Sequence, residues 1–155
     1  MKLIHGDCLD VMPVLAENSI DTIVTDPPYG LEFMGKEWDH GVPGVPFWTA
    51  ALRVSKPGAI LLSFGGTRTF HRLAGAIEDA GWELRDCFMW LYGSGFPKGH
   101  DVAKRMDGCI AEKWAGWNPS LKPAWEPIIV AMKPLDGTFA SNAERHGVAG
   151  FNINE

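Results

Sequence analysis

The sequence predicts an α/β fold: a largely parallel sheet with helices on both faces, closed by an antiparallel strand pair. Three observations point to it. Short apolar or β-branched runs at 20–25, 59–64 and 127–132 alternate with stretches of helical period at 46–54 and 67–80, the pattern of strands joined by crossover helices. The strand runs stop at turn formers, Asp26-Pro27-Pro28 and Gly65-Gly66. The last two strand runs, 82–92 and 127–132, are joined by loops and short pieces rather than a long crossover helix, so that pair is read as antiparallel. A chain of 155 residues is one domain by length.

Taken in order, Lys2 to His5 reads as a short strand ending at Gly6-Asp7. Leu9, Val11, Met12, Val14 and Leu15 then form an amphipathic helix, with Pro13 in its first turn and Asp7 or Asp10 as its N-cap. Glu17-Asn18-Ser19 is a turn and 20–25 a buried strand. Residues 29–46 are rich in glycine and proline, and a connection of that length is usually functional; we read it as a mobile loop over the site. A helix from Pro46 to Val54 stops at Lys56-Pro57-Gly58, a strand runs from Ala59 to Phe64, and a helix from Thr67 to Ala80 stops at Gly81. Trp82 to Tyr92 is a strand, 93–99 a loop, and Asp101 caps a short helix over 102–108. After an irregular stretch, 127–132 is the last strand. From Asp136 onward no packed element is expected, which divides the chain into a body of 1–135 and an irregular tail of 136–155.

Apolar residues make up 46% and charged residues 21%, the balance of a globular protein. No apolar run approaches the ~20 residues of a membrane span, and the N-terminus has no signal-peptide core, so a cytoplasmic location is expected. Cys8, Cys87 and Cys109 show no C-x-x-C spacing and are read as reduced and mostly buried; the five histidines form no i, i+4 pair. No metal site is expected. The net charge is −5, unfavourable for a non-specific nucleic-acid binder. It is unevenly spread: residues 1–39 carry a balance of −6, whereas 40–77 hold Arg53, Lys56, Arg68 and Arg72 and no acid.

The chemistry concentrates at Asp26-Pro27-Pro28-Tyr29, at the carboxyl end of a strand, the edge where ligands bind in open α/β sheets. Two prolines in series fix φ twice and remove two N–H donors, leaving a stiff turn whose carbonyls are open to accept. A carboxylate, open carbonyls and an aromatic ring suit a planar ring that carries an amino group. No cysteine follows a proline, and no serine–histidine or lysine nucleophile is placed nearby.

These residues resemble the signature of the β-class DNA amino-methyltransferases, which methylate adenine N6 or cytosine N4. The resemblance covers about residues 2–135 and includes His5-Gly6-Asp7-Cys8-Leu9, Arg53-Val54-Ser55-Lys56-Pro57-Gly58, Leu62-Ser63-Phe64-Gly65-Gly66, Ser94-Gly95-Phe96-Pro97-Lys98 and Lys122-Pro123-Ala124-Trp125-Glu126-Pro127; the last two are common in phage and prophage DNA methylases. It implies a Rossmann-like methyltransferase fold, S-adenosyl-L-methionine as cofactor and DNA as partner. It implies, further, that Asp26 and the Pro27 carbonyl accept from the target amino group, that Pro28 stiffens the turn, and that Tyr29 stacks on the flipped base. Asp7, Cys8 and Asp26 would bind the cofactor. Gly65, Phe96 and Lys98 would meet the nucleic acid, with Trp90 and Tyr92 as rivals to Phe96; Trp90 is otherwise a core residue. For Asp7 a plain helix N-cap is an equal reading.

The chain departs from that family in one respect. No strand ending in G-x-G and feeding a helix is present, so the resemblance implies an incomplete fold, with a second chain or self-association supplying the cofactor-binding half. The strand before Asp7 must then pair elsewhere, pair with another chain or stay loose. Asp in the first motif position leans to adenine N6. The alternatives are cytosine N4 and a catalytically silent remnant that binds nucleic acid or a partner.

Overall fold

The structure, a computed structural model, describes residues 3–31, 39–94 and 99–154. The chain divides into two compact units, one of Met1–Phe88 with Pro127–Glu155, the other Met89–Glu126.

The sheet, most of whose residues belong to the first unit, has the order β1 (Ile20–Thr25), β2 (Ser55–Phe64), β4 (Trp125–Met132) and β3 (Glu83–Leu91). β1 runs parallel to β2, and β4 runs antiparallel to β2, so the expected mixed α/β sheet is present. Two helices join the strands: α2 (Val45–Val54) leads into β2 and α3 (Phe70–Asp79) follows it. α2 opens with Pro46 in its first turn, where a missing N–H costs nothing. Its Trp48, Ala51 and Val54 recur at helical spacing and are buried.

The sheet's alternation sorts its side chains onto two faces. Leu61, Ile129 and Ala131 join Trp48, Leu73, Ile77 and Trp82 in the main core; the Trp82 indole N–H donates to the Trp48 carbonyl at 3.0 Å, satisfying a polar atom that burial would orphan. Ile60, Val130 and Met132 form a smaller cluster with Leu62 and Leu135. Where β4 ends beside the start of β2, the Lys133 ammonium donates to Asn18 Oδ1 and to the carbonyls of Leu52 and Ser55 at 2.8–2.9 Å.

Four expectations need correction. Residues 3–7 contain no strand, and Leu3 is 89% exposed: a short segment holds strand geometry only against a hydrogen-bonded neighbour, and none of the described strands pairs with it. Lys56-Pro57-Gly58 is not a turn outside the sheet. β2 starts directly at Ser55, and the register jumps from Ile20↔Ser55 to Thr22↔Ile60, so these residues form an irregularity within the strand. The cysteines are all exposed.

The fourth correction concerns the tail, which carries a helix, α5 (Phe139–His146). A reciprocal capping box between Thr138 and Ser141 opens it, and Gly147 in the left-handed region closes it. The side-chain amide of its buried Asn142 donates to the carbonyls of Pro57 and Val148, and its Oδ1 accepts from Asp136 N. Among the described residues no helix is long and apolar enough to cross a membrane.

In the second unit, a 3₁₀ turn (Val102–Arg105) and α4 (Gly108–Trp114) are tied together by Asp101, whose carboxylate accepts from Ala103 N at 3.0 Å and Gly116 N at 3.2 Å. Trp114 and Trp117 meet edge to face, with centroids 5.0 Å apart.

Candidate active site

Parallel pairing of Thr25 with Ser63 brings two chain exits side by side: Asp26-Pro27-Pro28-Tyr29 after β1 and Gly65-Gly66 after β2. Both turns are held. The Thr69 hydroxyl donates to the Tyr29 carbonyl at 2.6 Å, and the Gly66 carbonyl accepts from Thr69 N and Phe70 N at 3.0 and 2.8 Å. A Cβ on Gly66 would sit 3.2 Å from Thr69 Oγ1 and 3.3 Å from the Tyr29 ring, so the absent side chain is what lets Tyr29 lie against the β2–α3 turn.

The turn is clamped from its other side by Asp39, which is 2% exposed. One carboxylate oxygen accepts from Gly30 N at 2.8 Å and the other from Leu31 N at 3.2 Å. A buried carboxylate is tolerable only with such donors. Gly30 has φ +65°, and a Cβ there would press on the backbone of Gly41 and Val42 at 3.0 Å.

Within this braced frame Asp26 is exposed and makes no hydrogen bond or ion pair with the described residues. Pro27, Pro28 and Tyr29 are half-buried. Beside them an open hollow of ≈ 250 Å³ is lined by Gly30, Leu31, Arg68 and Thr69. The arrangement is an unused carboxylate on a stiff, anchored turn whose far end, from Tyr29 into Gly30 and Leu31, leads to the open hollow. It can accept hydrogen bonds from an amino group at a fixed position, the kind of preorganised polar contact that lowers barriers.

The other residues singled out in the sequence are less concentrated. Asp7 is the N-cap of α1 (Cys8–Val11), accepting from Leu9 N at 2.8 Å. Cys8 is exposed; partial desolvation first, and the Asp7 carboxylate second, raise its thiol above the usual range, which keeps it protonated and unsuited to nucleophilic attack. Gly65 is buried against α3, where a Cβ would meet Leu73 and Phe70 at 3.3–3.4 Å. Phe96, Lys98 and residues 32–38 of the expected loop over the site lie outside the described residues. Trp90 is 57% exposed, against the expectation of core packing.

Asp39 and Thr69 were not picked out in the sequence. Asp39 stands in a glycine- and proline-rich stretch with no motif around it. Thr69 precedes the first α3 residue, the N-cap signature, but its hydroxyl turns to Tyr29 instead.

No protein-family model matches the chain. The type II methyltransferase M.HindIII of Haemophilus influenzae is 25% identical over an alignment that covers 97% of this chain and 64% of that protein. The chain is thus similar in sequence to type II DNA methyltransferases. It spans a little under two thirds of that relative's length. The same fold occurs in the crystal structure of M1.HpyAVI in complex with SAM, with a TM-score of 0.54, 17% identity and coverage of 86% of this chain and 53% of that one. It occurs too in PvuII DNA methyltransferase, described as cytosine-N4-specific, with a TM-score of 0.56, 16% identity and coverage of 96% and 63%.

Proposed function

We propose that this chain is the base-gripping part of a site-specific DNA methyltransferase that transfers a methyl group from S-adenosyl-L-methionine to the N6 of a flipped adenine. The observation that carries this reading is Asp26: an exposed carboxylate, unpartnered among the described residues, on a turn held by Thr69, Asp39 and Gly66. A ring amino group is a poor nucleophile because its lone pair is delocalised. The Asp26 carboxylate and the Pro27 carbonyl accept from its two N–H bonds, localising that lone pair, and the prolines hold both acceptors in place before the base arrives. Tyr29 supplies a stacking face, typically ~1–3 kcal/mol per base. Displacement is direct, with no covalent enzyme intermediate.

The acceptor set suits the cofactor in part. Asp26 is open, and one oxygen of Asp7 is taken by Leu9 N; Asp7, Cys8 and Asp26 are the residues that would hold it. When bound, it supplies an electrophilic methyl group on a sulfonium. The SAM complex of a similar fold supports this choice. A second chain, or a second copy, is proposed to supply the rest of the cofactor site. β1 is at one edge of the sheet and its Val24 is 64% exposed, which supports that proposal. The likeness to a cytosine-N4-specific enzyme favours N4 transfer as the second reading.

Calorimetry with S-adenosyl-L-methionine and radiolabelled transfer to DNA test this reading, each with the chain alone and with a supplied cofactor-binding half. Nucleosides from the product separate N6-methyladenine from N4-methylcytosine by mass. Cofactor binding with no transfer under any condition would leave the silent binding module as the better description.

A further inference from the structure

The acid-free stretch 40–77 holds four cations, and the structure divides them into two pairs. Arg53 donates to the carbonyls of Met12 and Leu15 at 2.7 and 2.9 Å and lies 3.5 Å from Glu17. Lys56 is paired with Asp21. Both lie near the amino-terminal end of the strands, where Ile20 faces Ser55. The side chains of Arg68 and Arg72 are exposed and make no hydrogen bond or ion pair with the described residues. They lie at the opposite, carboxyl end: Arg68 in the turn after β2, lining the hollow with Gly30, Leu31 and Thr69, and Arg72 in the first turn of α3.

That placement works against folding. The amino end of a helix carries partial positive charge and favours acids. Here the first turn of α3 holds no acid but does hold His71 and Arg72. Its N-cap, Thr69, makes no capping bond, and its hydroxyl donates to the Tyr29 carbonyl. A local rule broken beside the candidate site is a mark of function.

We propose that Arg68 and Arg72 form an anion site for a backbone phosphate of DNA, positioning the strand whose target base enters the hollow beside Tyr29. The proposal rests on the methyltransferase reading and deepens it. It explains how a chain of net charge −5 could receive DNA: the cations at the other end of the strands are neutralised by partners, whereas these two are left for an incoming polyanion.

The test is fluorescence anisotropy of a labelled DNA duplex with one unpaired adenine, titrated with the full chain across a range of salt. Arg68→Gln and Arg72→Gln are each expected to weaken binding about fivefold to tenfold, and to lower the slope of log affinity against log salt by about one. Arg145→Gln, on α5 near Pro57, should change neither. Thermal unfolding should leave the double variant at least as stable as the parent; a loss of stability would mark the two arginines as structural and overturn the proposal. Unchanged affinity and slope in the double variant overturn the phosphate site and leave the methyltransferase reading intact. Absence of any salt-dependent DNA binding by the parent chain overturns the site as well, and the transfer assay then judges the function separately. A carboxylate of the cofactor is the other anion to consider: a double variant that loses affinity for S-adenosyl-L-methionine but keeps its affinity for DNA would reassign the site to it.

Discussion

Asp7 and Asp26 begin from nearly the same local pattern, a carboxylate just after a short apolar run, and end in different structural states. Val24 and Thr25 lie in a strand paired with Leu62 and Ser63, so Asp26 leaves the sheet at a fixed point and its turn is anchored from two sides. Ile4 and His5 have no strand partner; Asp7 turns its carboxylate back onto Leu9 N and caps a four-residue helix. A neighbouring strand, more than the motif itself, determines whether a carboxylate is presented to a ligand or used up locally.

The largest expected effect comes from removing the presented group. Asp26→Ala should lower methyl transfer by about 10²–10³-fold or more, while its unfolding free energy stays within about 0.5 kcal/mol of the parent, as for a surface change away from other features. Retained transfer in this variant would overturn the proposed mechanism. Asp39→Ala tests the frame instead of the acceptor. It removes two charge-assisted hydrogen bonds and leaves Gly30 N and Leu31 N without their acceptors, so stability should fall by about 3 kcal/mol in urea unfolding. Asp39→Asn, which keeps one acceptor oxygen, should lose roughly half as much. If Asp39→Ala unfolds like the parent, the clamp does not set the turn.

The contrast between the two carboxylates marks what the sequence could reveal. The strand into Asp26 was legible because Ile20, Ile23 and Val24 are β-branched and a Pro-Pro turn follows. The strands after it and α3 were legible from period and from the glycines that follow them, and α2 from its period alone, since its expected stop at Gly58 lies within β2. The run before Asp7 looked equally strand-like, since local pattern carries no record of whether a neighbour exists. α5 was missed for the opposite reason. Its caps, Thr138 and Gly147, were visible, but its interior, Ser141-Asn142-Ala143-Glu144-Arg145, has no apolar period; its buried residue is Asn142, held by hydrogen bonds rather than by transfer from water. At the site, the Asp26–Tyr29 motif could be read from sequence, whereas Asp39 and Thr69 could not, because their partners are backbone atoms supplied by distant turns.

The smallest effect falls on Asp7, and there two substitutions separate its two roles. Asp7→Ala removes the cap of an exposed four-residue helix, a change of about 0.5–1 kcal/mol within that helix that should barely move global unfolding. Asp7→Ser restores a capping oxygen but not the charge. If Asp7 serves only as a cap, affinity for S-adenosyl-L-methionine falls in the alanine variant and returns in the serine variant. If its carboxylate contacts the cofactor, both variants lose affinity to a similar degree. Calorimetry on the two variants, with the cofactor-binding half supplied where the chain alone does not bind, reads the difference directly. Loss in both would show that a carboxylate spent on a helix cap in the isolated chain is recruited when the site is complete, and the contrast with Asp26 would then be one of timing: one carboxylate positioned by folding, the other by binding.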